Sequence, residues 1–198
     1  VSSRLLGAIA ADHGLEHRTT LTGFKWIARV PDLVFGYEEA IGYCCDPAHI
    51  RDKDGITAAV TMALLADSLR IDGRTIQDVL DSFADRFGLH ATAPVTFRVE
   101  DVGLISAAMQ QLRSTAPAEL AGSEVVSVID LNEGYDGLPP TDGLMLFTAA
   151  NDRVIIRPSG TEPKLKCYLE VILPGGTWEE AHKRLDAIGE ELRGVIGL

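Results

Sequence analysis

Arg157-Pro158-Ser159-Gly160-Thr161-Glu162-Pro163-Lys164-Leu165-Lys166 is the stretch around which the chain organises. A strand ends on Arg157, a tight loop follows, and Leu165 to Leu173 alternates as a returning strand. The loop supplies two hydroxyls and a glycine that lets backbone N–H groups come close to a ligand, and two prolines stiffen it. Three cations against one Glu make it locally +2, in a chain whose net charge is -11. An arginine fork and successive amides suit a small anion such as phosphate. The alternative is a hairpin whose charges are simply solvated.

Outward from this stretch, Leu144 to Ala149 and Arg153 to Ile156 read as a hairpin across Ala150-Asn151-Asp152. Asn132 to Gly143 is turn-rich. Val125 to Asp130 and Val95 to Val99 are strands, and Asp101 caps a helix bearing Val102, Ile105, Met109 and Leu112. Thr177 with Glu180 caps a closing helix carrying Trp178, Leu185, Ile188 and Leu192. Several antiparallel strands with two helices imply a small α+β domain with its helices on one face.

Towards the amino end the pattern changes. Ser2 or Ser3 can cap a helix with Leu5, Leu6, Ile9 and Ala10 on one side, stopped near Gly14. A strand is expected over Glu16 to Leu21, and Leu33 to Tyr37 reads as a buried strand ending on Glu38-Glu39. Asp54 then caps a helix with Ile56, Ala59, Val60, Ala63, Leu64 and Leu69 at helical spacing. Thr75 with Asp78 starts a second helix, with Ile76, Val79, Leu80, Phe83 and Phe87 inward, and Gly88 closes it. Strand and helix in alternation predict a mostly parallel α/β layer. Leu89 to Pro94 is taken as the linker, which divides the chain into domains over 1–90 and 91–198.

Composition bounds the function. A length of 198 residues with 46% hydrophobic side chains can bury two small cores. The acidic balance argues against nucleic acid as a partner and against an anionic membrane surface. No apolar run is long enough to span a bilayer and no signal peptide is evident. Three cysteines, two of them adjacent, form no disulfide framework, so a cytoplasmic location is expected. The chain opens on Val1-Ser2-Ser3 without Met, which reads as a fragment of a longer protein.

Two further segments carry chemistry. In Gly36-Tyr37-Glu38-Glu39-Ala40-Ile41-Gly42-Tyr43, adjacent carboxylates end an apolar strand, where open α/β sheets bind ligands. Neighbouring residues on extended chain point opposite ways, so one carboxylate is expected to face a cleft, where it suits the neighbouring hydroxyls of a polyol, while the other braces the loop. A solvated pair is the alternative. In Arg51-Asp52-Lys53-Asp54-Gly55, Asp54 reads as an N-cap, and Lys53 either meets an anion, donates a proton, or is solvated. Asp52 and Asp54 around a lysine make a poor Mg²⁺ site. The five histidines and the Cys44-Cys45 pair lack metal-ligand spacing, so no metal site is expected.

Together these segments resemble the α-D-phosphohexomutase superfamily of phosphoglucomutases and phosphomannomutases. Arg157 to Lys164 is similar to the phosphate-binding loop of that family's fourth domain, Gly36 to Gly42 to the sugar-binding loop of its third, and Asp52 to Gly55 to the segment after it. Thr20-Leu21-Thr22-Gly23-Phe24-Lys25-Trp26 and Glu38 to Tyr43 are closest to the branch holding phosphopentomutase and the second phosphoglucomutase.

The resemblance implies an amino-truncated, mostly parallel α/β third domain and an α+β fourth domain of the TATA-binding-protein-like type. It also implies a reaction: a phosphoserine passes its phosphoryl group to a sugar phosphate, and the bisphosphate reorients and returns the other one, with Mg²⁺ assisting. By the same resemblance, Arg157, Ser159, Gly160, Thr161 and Lys166 hold the non-reacting phosphate. Thr22, Gly23, Glu38 and Glu39 bind the sugar, and Lys53 contacts phosphate or acts as acid or base. Ala40 stands where the family often has Ser, which keeps pentose phosphates open as substrates. The family's serine loop and metal loop are not found, so the expectation is a chain inactive alone that works with amino-terminal domains of the same parent. The competing class is a sugar-phosphate-binding module without chemistry.

Overall fold

The computed structural model describes residues 1–160 and 162–197, and its contacts divide the chain into two compact units, Val1–Phe87 and Gly88–Leu198. The first begins with α1 (Leu5–Asp12). Ser3 Oγ accepts from the Leu5 amide at 3.1 Å. Gly14, at φ 65°, stops the helix: its own amide donates to Ala11 O and the Leu15 amide to Ala10 O, the paired bonds of a Schellman turn. A single turn, α2 (Phe24–Ile27), follows Gly23, whose φ of 114° is open only to glycine.

The strand expected over Glu16 to Leu21 does not form; the segment is irregular and exposed over Glu16 to Thr19, with no neighbouring strand to take its backbone groups. The strand expected over Leu33 to Tyr37 begins only at Gly36. β1 (Gly36–Glu38) turns through Glu39-Ala40-Ile41 and pairs antiparallel with β2 (Gly42–Cys44). This hairpin is the only sheet among the described residues of the first unit, so the parallel layer read from element order is not present in it. Parallel pairing needs a crossover of a dozen residues, whereas here the chain returns after three.

Two helices complete the unit. Asp54 caps α3 (Gly55–Ile71), its carboxylate accepting from the Ile56 and Thr57 amides at 3.0 and 3.2 Å. These bonds, with the Thr57 side chain first, hold the Asp54 carboxyl below the ordinary range. The expected helical face exists, but only Leu69 on α3 is buried, and Ile56, Val60 and Leu64 are exposed. Spacing decides which residues share a face, not whether anything covers it. Thr75 and Asp78 exchange the hydrogen bonds of a capping box ahead of α4 (Ile76–Phe87), and Arg86 reaches back to Asp12 on α1.

The second unit is built on one antiparallel sheet. Its strands are β3 (Leu89–Arg98), β4 (Glu119–Leu120), β5 (Ser123–Asp130), β6 (Leu144–Thr148), β7 (Arg153–Pro158) and β8 (Lys164–Leu173), in the order β3-β8-β7-β6-β5-β4. Leu89 to Pro94 is therefore not a linker: it is the first half of β3, paired residue by residue with Tyr168 to Leu173. Pro94 is accommodated because β3 lies at the sheet edge, where a missing N–H is tolerated.

α5 (Val102–Ser114) buries Ile105, Ala108, Met109 and Leu112, with Val102 outside. α6 (Trp178–Ile196) starts on the expected Thr177–Glu180 capping box and buries Leu185, Ile188 and Leu192, while Trp178 is exposed. Gly189 lets α6 approach Val95 and Leu169, on the face where β8 buries Leu165, Cys167, Leu169 and Val171. No described helix is long and apolar enough to cross a membrane.

The turn after β6 is locked to α6 by a buried ion pair. Asp152, 1% exposed, accepts from Thr148 Oγ1 at 2.6 Å and from Arg184 Nε and Nη2 at 2.8 and 2.7 Å. Arg184→Ala strands that carboxylate, and urea unfolding is expected to show a loss of about 3–5 kcal/mol. A loss under 1 kcal/mol would contradict this assignment. Burial pushes the Cys167 thiol up to about 12. It is therefore expected to resist thiol reagents at neutral pH until the chain unfolds, as mass spectrometry of labelled peptides would show.

Candidate functional site

In the first unit the hairpin sorts the two adjacent glutamates. Glu38 points inward, 8% exposed, and its Oε1 lies 2.5 Å from Lys53 Nζ. Glu39 points outward: its Oε1 accepts from the Ser3 amide at 2.7 Å, and its own amide donates to Ser2 Oγ at 3.3 Å. One carboxylate, at the end of β1, is thus turned into the unit, and the other, on the first residue of the turn, pins the amino-terminal segment.

Lys53 reaches this position from the loop before α3. The Asp54 amide donates to Tyr43 O at 2.8 Å, which ties that loop to β2. The Lys53 ammonium also donates to Ala40 O at 3.2 Å and sits 5.7 Å from the centre of the Phe24 ring. Gly42 makes room for it: a Cβ there would lie 2.7 Å from Lys53 Cε and 2.9 Å from Phe24 Cε2. Lys53 therefore holds the 38–42 turn by salt bridge, backbone hydrogen bond and cation–π contact. Thr22 and Gly23 immediately precede Phe24, with Thr22 exposed.

In the second unit the expected anion loop joins β7 to β8. Arg157 stands directly opposite Lys166, both half-buried, and the Ser159 amide donates to Lys164 O at 2.8 Å. That bond closes the hairpin and withdraws one amide from the nest expected there. Gly160 is exposed at the loop tip, and Thr161 lies outside the described residues. Glu162 bonds Lys164 Nζ at 2.6 Å. That contact first, then the more distant Arg98 and Lys166, holds its carboxyl below the usual range. On the β6 side Gly143 takes the place beside Arg157, where a Cβ would come within 3.5 Å of the arginine Cβ.

The Thr22–Trp26 turn is expected to line the same cleft, with Phe24 as core the alternative, and Phe24 is both buried and close to Lys53. Ala40 as an acceptor and Arg98 beside the loop are not anticipated. A charged residue within the Val95–Val99 alternation was the available signal for Arg98; no local pattern marks Ala40 as an acceptor. Among the described residues no group of three or more His, Cys, Asp or Glu is placed to hold a metal ion. Asp54 is used as a cap, and Asp52 Oδ1 accepts from the Lys53 amide at 2.7 Å.

Residues 1–87 match the family model for phosphoglucomutase/phosphomannomutase, alpha/beta/alpha domain III, and residues 105–174 match that for the C-terminal domain. The chain belongs to the phosphoglucomutase/phosphomannomutase family. It is 39% identical to a probable phosphomannomutase of Haemophilus influenzae, over 99% of this chain and 39% of that protein. It is 35% identical to a phosphopentomutase of Mus musculus, over 99% of this chain and 35% of the relative. Glucose 1,6-bisphosphate synthase of Mus musculus is 31% identical over 96% of this chain and 35% of its own length. Pp63/parafusin, a phosphoglucomutase from Paramecium, shares the fold at TM-score 0.75 and 20% identity, covering 98% of this chain and 36% of its own. The chain spans just over a third of the length of these relatives.

Within this phosphoglucomutase/phosphomannomutase domain III, Lys53 is expected to rigidify the 38–42 turn. With the lysine 40% exposed the pair is partly screened, so Lys53→Ala should cost about 1 kcal/mol, or roughly fivefold faster amide exchange over the hairpin. Unchanged exchange would show that the turn holds without it.

Proposed function

We propose that this chain is the C-terminal, substrate-binding part of a phosphosugar mutase, an intramolecular phosphotransferase that interconverts 1- and 6-phosphosugars. In this reading a phosphoserine elsewhere in the parent gives its phosphoryl group to the sugar phosphate. The bisphosphate turns over in the site and returns its other phosphoryl group to the serine. The relatives named phosphomannomutase, phosphopentomutase and glucose 1,6-bisphosphate synthase support that class.

The observation that carries the reading is the Arg157–Lys166 pair at the mouth of the Ser159–Pro163 loop. Like charges directly opposite repel, and a bound phosphate between them turns that repulsion into two charge-assisted hydrogen bonds. Arg157 and Lys166 hold the non-reacting phosphate with Ser159, Gly160 and Thr161. Glu38, held in place by Lys53, accepts from sugar hydroxyls, and Thr22 and Gly23 orient the sugar. Glu39 acts through the Ser2–Ser3 segment it pins. Lys53, whose ammonium is paired with Glu38 and donates to Ala40 O, contacts phosphate or acts as acid or base through its remaining donor.

The family's Mg²⁺ would assist transfer electrostatically. The described residues do not fit a site for it, and no step here passes through it. A pentose phosphate is the second reading, favoured by Ala40 in the sugar loop and by the phosphopentomutase relative.

In the full-length parent, Arg157→Ala is expected to weaken phosphosugar binding by roughly 1.5–3 kcal/mol, about ten- to a hundredfold, with the fold intact by circular dichroism. Unchanged affinity would remove the loop from the site. The purified chain alone should show no mutase turnover on glucose, mannose or ribose phosphates; measurable turnover would overturn the expectation that chemistry needs other domains.

A further inference from the structure

The Ser159–Pro163 loop has a third neighbour besides β7 and β8, namely the end of β3. The Val99 amide donates to Pro163 O at 3.2 Å, so this edge strand is stitched to the loop itself. Register then fixes the company. Arg98 stands opposite Lys164, Thr96 opposite Lys166, and Lys166 opposite Arg157.

Residues opposite one another in an antiparallel ladder share a face, and so do residues two apart on one strand. Arg98, Lys164, Lys166 and Arg157 therefore stand on one face, away from the buried Leu165, Cys167 and Leu169 that pack towards α6. Glu162, salt-bridged to Lys164, is the acid of the loop itself. Four cations and this acid gather at the hairpin end, in a chain of net charge -11. Two like-charged pairs, Arg98–Lys164 and Arg157–Lys166, stand directly opposite one another, and Glu162 lies against the first of them.

We propose that the end of β3 is a third wall of the phosphate site and that Arg98 is a further binding residue in it, acting on a dianionic phosphate group. The inference rests on the reading of the loop as a phosphate site. Arg98 lies two strand positions beyond the Thr96–Lys166–Arg157 row, about 6–7 Å along β3, and its side chain is exposed. At that range it acts through its field more than by contact. The field reaches about 10 Å in 0.1 M salt and about 3 Å in 1 M. Lys164 is bonded to Glu162, and Arg98 adds a second positive charge on the β3 side of the same loop.

The test is calorimetric titration of the 198-residue chain with glucose 1-phosphate at low and high salt. Arg98→Ala is expected to weaken binding roughly two- to fivefold at about 0.1 M salt and to match the unaltered chain at about 1 M. Arg98→Lys should restore the low-salt affinity. Lys183→Ala removes the same charge from the exposed flank of α6 and should leave binding unchanged. Equal affinity of Arg98→Ala and the unaltered chain at low salt, or equal weakening by Lys183→Ala, overturns the proposal. If Arg157→Ala still binds less tightly in those cases, the loop reading survives. If Arg157→Ala has no effect, or the unaltered chain binds nothing at millimolar ligand, both fall.

Discussion

The two-residue period of β8 is the constraint on which the second unit depends. Its odd-numbered residues, Leu165, Cys167, Leu169 and Val171, are fully buried, each large apolar one contributing about 1.5–3 kcal/mol. Its even-numbered Lys164 and Lys166 go to the other face. A slip of one residue would drive two ammonium groups into the core and expose four apolar side chains, so the register is held firmly. Because β8 pairs with β3 on one side and β7 on the other, that register also decides that Arg157 meets Lys166 and Arg98 meets Lys164. Core packing and charge placement are thus one fact seen from two faces of the same strand.

The first unit is organised differently. Its candidate site depends on one hairpin and one lysine. The tight turn after Glu38 works because Gly42 leaves space for the Lys53 side chain, and because Ile41 accepts a φ of 52°. A β-branched residue in that region is strained, and the salt bridge to Glu38 and the bond to Ala40 O oppose relaxation of the turn. Lys53, which its sequence neighbourhood left as an anion contact, a proton donor or a solvated side chain, is paired with Glu38 and bonded to Ala40 O.

Much of this was legible along the chain. Caps were read correctly at Asp54, Thr75, Asp101 and Thr177, whereas Arg4, not Ser2 or Ser3, holds the N-cap position of α1, and the Asp130 cap over Leu131–Glu133 was not read. Also read correctly were the glycine stops at Gly14 and Gly88, both at positive φ. Strands were less legible. Glu16 to Leu21 and Leu33 to Phe35 have strand-like composition, but a strand exists only where a partner takes its hydrogen bonds. Leu89 to Pro94 goes the other way: a short stretch without helical pattern, read as a linker, pairs with Tyr168 to Leu173 as an edge strand.

By itself, then, the sequence determined what is local: helix ends, the alternation of β8, the turn chemistry of the Arg157–Lys166 hairpin, and the split between Glu38 and Glu39. Those follow from interactions spanning a few residues or from backbone geometry alone. Only the tertiary structure decided that Phe24 and Ala40 complete the surroundings of Lys53, that α3 leaves most of its apolar residues uncovered, and that Arg98 stands beside a loop some sixty residues away. These depend on which strands pair and in what register, and pairing is settled by the burial of both partners together, which neither segment carries alone.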